Sequence, residues 1–392
     1  MTSCMTAPLI LVLVLMVSAQ TLDPSVTDLN SRMSEFGAGL YRSVAKRSDD
    51  NMLLAPFTLT AGLLALLSAT DGPTQNQLIQ SLSLSGLSPS TIPDLFQTLR
   101  NLVLTEGLNL QQGWSLLPPQ GFQTSSSFLL LVQEKFGGKI QSLPYTQPDE
   151  AMDAINRWAA EQSGERVKEL LRDLQPQTEL LLASVASYQA HFSPPFNASF
   201  TQDERFYVDS YHTVMVPMML RADKYFLAYD AAVKAGVLKL PMADGTAMLA
   251  VLPDEGVDVG SIESELTAEK IKGWIRQLKK TRLEVQLPHF RLEVSYRLKD
   301  FLQTLDITQV FQDNGDILNM GEDKSPKLTE VFQKSVLLVD DSSDDITSGG
   351  VSSEFSTPPP RLTFNRPFVF IVYQQSSSSV LMIGRVHDPT PK

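Results

Sequence analysis

Cysteine is almost missing from this 392-residue chain, which holds only Cys4. One cysteine cannot form an internal disulfide or a Cys-rich zinc site, so stability must come from the size of the core. Histidine is nearly as scarce. His191, His212, His289 and His387 never stand in an H-x-x-x-H spacing, and they read as structural residues rather than metal ligands. The sequence also lacks a Gly-x-Ser-x-Gly elbow, a phosphate-cradling glycine loop and a dinucleotide fingerprint. It is therefore not read as an enzyme, and neither cofactor nor metal is expected. There is no apolar run of about 20 residues, which excludes a membrane-spanning helix. No internal repeat and no Gly/Ser/Pro linker interrupts the middle, so one large domain over 20–392 is expected. Acidic residues outnumber basic ones, 44 to 32, and the net charge of −12 disfavours nucleic acid and anionic membranes.

What is present begins with a short apolar run, Leu9–Val17, too short to span a bilayer and followed by the small-residue site Val17-Ser-Ala19. Residues 1–19 are read as a signal peptide cut between Ala19 and Gln20, which places the mature chain outside the cell. Cys4 would leave with it. Asn197-Ala-Ser199, after Pro194-Pro195, is an N-glycosylation sequon for such a protein.

Periodicity gives an α+β chain with helices crowded into the first half and strands into the second. Helices are expected at Asp28–Val44, Thr60–Leu67, Ala151–Arg172 and Ile262–Lys279. Strand-like runs are Thr213–Met219, Val237–Leu240, Met248–Leu252 and Leu283–Leu287. Near the C-terminus, the apolar run Ser335–Val339 leads into an acidic, small-residue tract, Asp340–Glu354, closed by Pro358, Pro359 and Pro360. Two further apolar runs follow, Phe364–Tyr373 and Val380–Ile383. A loop of this length, beyond about 12–15 residues, is functional or disordered in most proteins. Asp340–Asp345 lacks an EF-hand pattern and reads as a solvated acidic loop rather than a calcium site.

The residues after that loop carry a family resemblance. Phe364-Asn-Arg-Pro-Phe368, Met382-Ile-Gly-Arg-Val386 and Asp388-Pro389 resemble the signature of the serpins. Further serpin-like landmarks fall in the right order: Phe36-Gly37, Asn51–Pro56, Ile155–Trp158, Gly164–Val167, Val216–Met219 and Leu287–Phe290. The chain is similar above all to the secreted plasma group of α2-antiplasmin, pigment epithelium-derived factor and angiotensinogen. The resemblance implies a fold of about three β-sheets and nine helices with an exposed reactive-centre loop, here about 341–360. In inhibitory members a serine protease cuts this loop and forms an acyl-enzyme. The cut loop then inserts as a strand into the central sheet and carries the protease with it.

Insertion needs a hinge of small uncharged residues, because alternate side chains face the buried side of the sheet. Inhibitory hinges resemble Glu-x-Gly-Thr-Glu followed by alanines. Counted back from Asn365, this chain has Asp341, Ser342, Ser343, Asp344 and Asp345 there. Ser343 replaces the hinge glycine, and Asp344 would have to bury a carboxylate or take up a proton. The polar network that controls sheet opening in the family corresponds to Ala55, Thr58, Ser184 and Gln333, without the usual Asn and His. Ser184 and Gln333 are the residues from which such a network would be rebuilt. The scissile candidates are Phe355, Ser356 and Thr357: Phe355 suits a chymotrypsin-like protease and Ser356 an elastase-like one.

Pro93–Glu106, where relatives carry a heparin-binding stripe, offers only Arg100, and Arg276, Lys279, Lys280 and Arg282 read as a solvated basic face. Polyanion binding is not expected. Taken together, the residues describe a secreted, monomeric, non-inhibitory serpin that acts through a surface on a ligand or protein receptor. The alternative is a suicide inhibitor of a chymotrypsin- or elastase-like serine protease.

Overall fold

Proline at the first helical turn starts most of the long helices, where the missing N–H costs nothing. In the computed structural model, which describes residues 23–313, 315–321, 326–341 and 359–391, Pro24 opens α1 (Pro24–Ala45), and the Asp23 carboxylate accepts from the Ser25 N–H as its cap. Strand β1 (Met52–Leu54) leads into α2 (Pro56–Ala69), an apolar helix whose residues are buried on every side except at Ser68. Gly37 explains one sequence landmark, since a Cβ there would lie 2.6 Å from that of Pro56, so α1 could not cross the start of α2 so closely. Gly62 does the same on the opposite side of α2, where a Cβ would meet Leu182 at 2.6 Å.

Two short helices follow, α3 (Gly72–Ser81) and α4 (Ile92–Val103), then β2 (Leu110–Leu117), α5 (Ser126–Leu131) and β3 (Lys139–Ile140). Helix α6 (Pro148–Gln162) is shorter than the periodicity suggests. It stops at Ser163, where Gly164 and Glu165 turn to positive φ, 61° and 62°. The apolar pattern runs on to Leu171 because the next segment lies back on the same face, tied to α6 by Asn156. The Asn156 Oδ1 accepts from the Leu170 and Leu171 N–H groups, at 2.8 and 3.1 Å. Ile262–Lys279 likewise splits into α7 (Gly260–Ser264) and α8 (Ala268–Gln277), because the Thr267 hydroxyl caps the Lys270 N–H and starts a new helix.

The remaining strands are β4 (Leu180–Ala190), β5 (Gln202–Tyr207), β6 (Thr213–Asp230), β7 (Ala235–Pro241), β8 (Thr246–Pro253), β9 (Lys279–Pro288), β10 (Phe290–Arg297), β11 (Leu328–Val339), β12 (Arg361–Thr363), β13 (Phe368–Gln374) and β14 (Ser379–Val386). A last helix, α9 (Lys299–Gln303), makes nine α-helices among the described residues. Five strands form one sheet in the order β10-β11-β4-β2-β3, and the others form a nine-stranded sheet. Two of the three expected sheets are thus joined. The 18-residue β6 spans that nine-stranded sheet, pairing with β5 over Thr213–Met218, with β9 over Met218–Leu227 and with β7 over Phe226–Asp230. Its second half escaped the sequence reading because Arg221, Asp223 and Lys224 break the apolar alternation. Strand β4 escaped it for the opposite reason: buried on both faces, it reads as a continuous apolar run.

The main core lies between the two sheets and around α2. A smaller apolar cluster lies on the other face of the five-stranded sheet, where Ile155 and Trp158 of α6 meet Ala183, Val185, Phe332 and Val336. The C-terminus is held by Asn51, whose Oδ1 accepts from the His387 and Asp388 N–H groups at 2.7 and 2.9 Å. Burial, aided by nearby Arg385, lowers the pKa of His387 below the usual histidine value. A depressed base favours the neutral form in the folded state. Its contribution is therefore complete above the ordinary histidine pKa of about 6.5 and is lost as pH falls below it. His387→Gln should flatten the acid side of the stability profile just below about pH 6.5, as read by urea titration.

Candidate functional site

Strands β4 and β11 run parallel and pair over their full lengths, from Leu180 opposite Leu328 to Ala190 opposite Val339. Nearly every residue of both is buried or half-buried. One face lies against α2 and the main core, and the other lies under α6 and the segment after it. A strand entering between them would be enclosed on both faces. The chain leaves β11 at Val339 and next pairs at β12, parallel to β9 on the edge of the other sheet, with Arg361 opposite Glu284. Val339 thus ends a strand of the five-stranded sheet, and Arg361 begins one on the edge of the nine-stranded sheet.

The middle of the β4–β11 seam holds a polar lock in an apolar surrounding. Gln333 of β11 lies opposite Ser184 of β4. Its amide nitrogen donates to the Ala55 carbonyl at 3.1 Å and to the Ser184 hydroxyl at 3.2 Å. Its amide oxygen accepts from the Ala55 N–H at 3.1 Å. Gln333, Ser184 and Ala55 are fully buried. Four residues nominated from the sequence therefore fall in one region, three of them in direct contact. The fourth, Thr58, turns one step away and donates to Gln112 of β2, a partner that carries no motif and that the sequence reading missed.

This lock ties the N-terminus of α2 to the two strands that an insertion would have to part. Gln333→Ala leaves the Ala55 N–H buried without a partner and a cavity beside Ser184. It should cost about 2–3 kcal/mol of stability by urea unfolding. A loss under about 0.5 kcal/mol would mean the lock contributes nothing.

At the top of the sheet, Asp341 is the one hinge candidate within the described residues. Its Oδ2 accepts from the Thr201 hydroxyl at 2.6 Å. The His289 Nε2 lies 3.2 Å from the same oxygen, near enough to pair when protonated but not aligned as a hydrogen bond. Thr201 precedes β5, and His289 sits between β9 and β10, so the base of the loop is fastened to the neighbouring sheet. Neither partner was nominated from the sequence, since nothing in local spacing relates residues 201, 289 and 341. Lower on β11, Lys334 donates to the Glu169 carbonyl and pairs with Glu293 of β10, both at 2.8 Å. Burial alone would raise the Glu293 pKa, but hydrogen bonds from Lys334 and Arg291 bring it below the usual glutamate value.

Ser342, Ser343, Asp344 and Asp345 of the hinge, the scissile candidates Phe355, Ser356 and Thr357, and Ala19 and Gln20 lie outside the described residues. Asn197 is half-buried and uses its amide oxygen to cap a short 3-10 turn, accepting from the Ser199 N–H at 2.9 Å. Among the described residues no cluster of three or more His, Cys, Asp or Glu could hold a metal ion. None of the described helices is long and apolar enough to cross a membrane.

Comparison with known proteins places this arrangement. The profile of the family described as serpin (serine protease inhibitor) matches residues 31–389. The mouse protein Z-dependent protease inhibitor is 28% identical over 368 residues, 92% of this chain and 82% of the relative. An α1-antitrypsin homologue from Cyprinus carpio is 26% identical over 81% of this chain and 86% of its own length. The crystal structure of the mouse protein Z-dependent inhibitor superposes with a TM-score of 0.86, covering 93% of this chain and 98% of that one. A thyroxine-binding globulin complex with thyroxine also gives 0.86 at 26% identity, covering 93% of this chain and all of the other. With the family profile matched over residues 31–389 and a central seam between parallel strands, the chain belongs to the serpin family.

Proposed function

We propose that this protein is a secreted, monomeric serpin that does not trap proteases and acts instead by binding a ligand or protein receptor at its surface. The observation that carries this reading is the enclosure of the β4–β11 seam set against the sequence of the loop that would enter it. Asp344 stands where a small neutral residue must be buried, and both walls of the seam are closed. An ionised carboxylate left there without a partner costs about 3–5 kcal/mol. Ser343 in place of the hinge glycine removes backbone freedom where the chain must turn, and the Gly349-Gly350 pair further on weakens strand formation. Secretion is supported by the apolar run Leu9–Val17 ahead of the small-residue site at Ala19, and the sequon at Asn197 suits that compartment. The relative solved with thyroxine makes small-ligand binding a natural use of the fold.

The competing reading, a suicide inhibitor cut beside Phe355 or Ser356, draws support from two observations. The relatives include a protease inhibitor, and Gln333 with Ser184 supplies a polar lock of the kind a controlled opening would use. The two readings differ in the fate of the cut loop. Limited digestion within 346–357 should leave the thermal midpoint of the wild-type chain unchanged. A large rise would mean that the loop inserts and would overturn the non-inhibitory proposal.

A further inference from the structure

Phe226 stands exposed on β6 between two lysines. Strand register sets it directly opposite Lys239 of β7 and Lys280 of β9, so the three share one face of the sheet. Lys224, two positions earlier on β6, lies on that face as well. Like charges so placed across a sheet repel one another. Among the described residues the lysines in ion pairs are Lys135, Lys270, Lys272, Lys327 and Lys334. Lys224, Lys239 and Lys280 are not among them. The nearby carboxylate, Asp223, is spent on its own strand, with Oδ2 paired to Arg221 at 2.6 Å and Oδ1 accepting from the Lys224 N–H.

Beside this row opens a cavity of about 180 Å³. Its walls include Phe192, Phe196, Tyr225 and Leu240, with Lys224, Lys239 and Lys280 among the lining residues beside Asp223, whose carboxylate is paired to Arg221. Phe192 and Phe196 meet edge to face at 5.3 Å. The Lys239 ammonium lies 5.8 Å from the centre of the Phe226 ring, and burial lowers its pKa. A partly desolvated cation with no carboxylate gains more from an arriving anion than one already in water. A dry apolar cavity of about 150 Å³ is known to take one benzene ring, so this one suits a single ring with a short side arm.

We propose that this pocket binds a small aromatic carboxylate, its one ring among the aromatic walls and its carboxylate between Lys239 and Lys280. The proposal does not depend on whether the reactive-centre loop inserts, and its test reads a different part of the molecule.

Titration of the full chain with 3-phenylpropionate, followed by calorimetry, should saturate at one site. The neutral 3-phenylpropanamide should bind at least about tenfold more weakly, since a charge-assisted hydrogen bond is worth about 1.5–3 kcal/mol. Lys239→Gln with Lys280→Gln should remove that preference while leaving the amide unchanged, and Phe226→Ser, at an exposed position, should weaken both ligands. Several results would overturn the proposal: no saturable binding, equal affinity for acid and amide, or an unaltered preference in the lysine variant. Displacement of the acid by a ringless sulfated oligosaccharide would overturn it too, because charge alone would then account for the site.

Discussion

Replacing Ser343 by Gly and Asp344 by Thr is expected to let the cut loop insert. The cleaved double variant should then unfold about 10 °C or more above its uncut form. The β4–β11 seam is the physical reason. A strand placed there gains backbone hydrogen bonds on both edges and buries alternate side chains against α2 and under α6. In the wild-type loop those gains are opposed by about 3–5 kcal/mol for an uncompensated carboxylate at 344. Thr removes the charge, and Gly at 343 restores a backbone free to turn at the hinge. Differential scanning of the cut and uncut variant is the measurement. An identical midpoint for the two would show that Asp344 is not what holds the loop out.

The second large effect lies at a buried ion pair. Arg385 of β14 and Glu263 of α7 form a buried pair, 2% and 7% exposed in their side chains, with Nη1 at 2.9 Å from both carboxylate oxygens. The Tyr41 hydroxyl donates to the same carboxylate at 2.6 Å, and Arg385 also donates to the Asp50 carbonyl. The burial and the Glu263 charge together raise the Tyr41 pKa well above its usual value, so it stays a donor. Arg385→Met strands the carboxylate in the core and should cost about 3–5 kcal/mol by urea unfolding. Adding Glu263→Met should recover part of that loss, because the stranded charge and not the missing attraction is the larger component. A single variant losing under about 1 kcal/mol would contradict the assignment.

Much of the fold was legible in local pattern. The α1 and α2 periodicity and the apolar runs of β7, β8, β13 and β14 fall where the sequence put them, since each has one strong apolar face or is apolar throughout. The boundaries that failed did so for physical reasons. Gly164 ends α6 through its backbone while the next segment keeps the apolar spacing, and Thr267 restarts a helix that hydrophobicity alone reads as continuous. The candidate site was legible only by resemblance. Gln333, Ser184 and Ala55 look like ordinary residues of apolar segments, and only the seam reveals them as one network. Thr201 and His289 around Asp341, and the lysines flanking Phe226, are brought together by strand register, which a linear reading of periodicity does not resolve.

The non-inhibitory reading meets its most direct test in a denaturing gel of the wild-type protein after reaction with equimolar chymotrypsin or elastase. A loop that cannot insert should be cleaved in the segment around Phe355, Ser356 and Thr357, with free, active protease and no adduct of higher mass. A band stable in SDS at the summed mass of chain and protease would contradict that reading and establish the loop as a working trap.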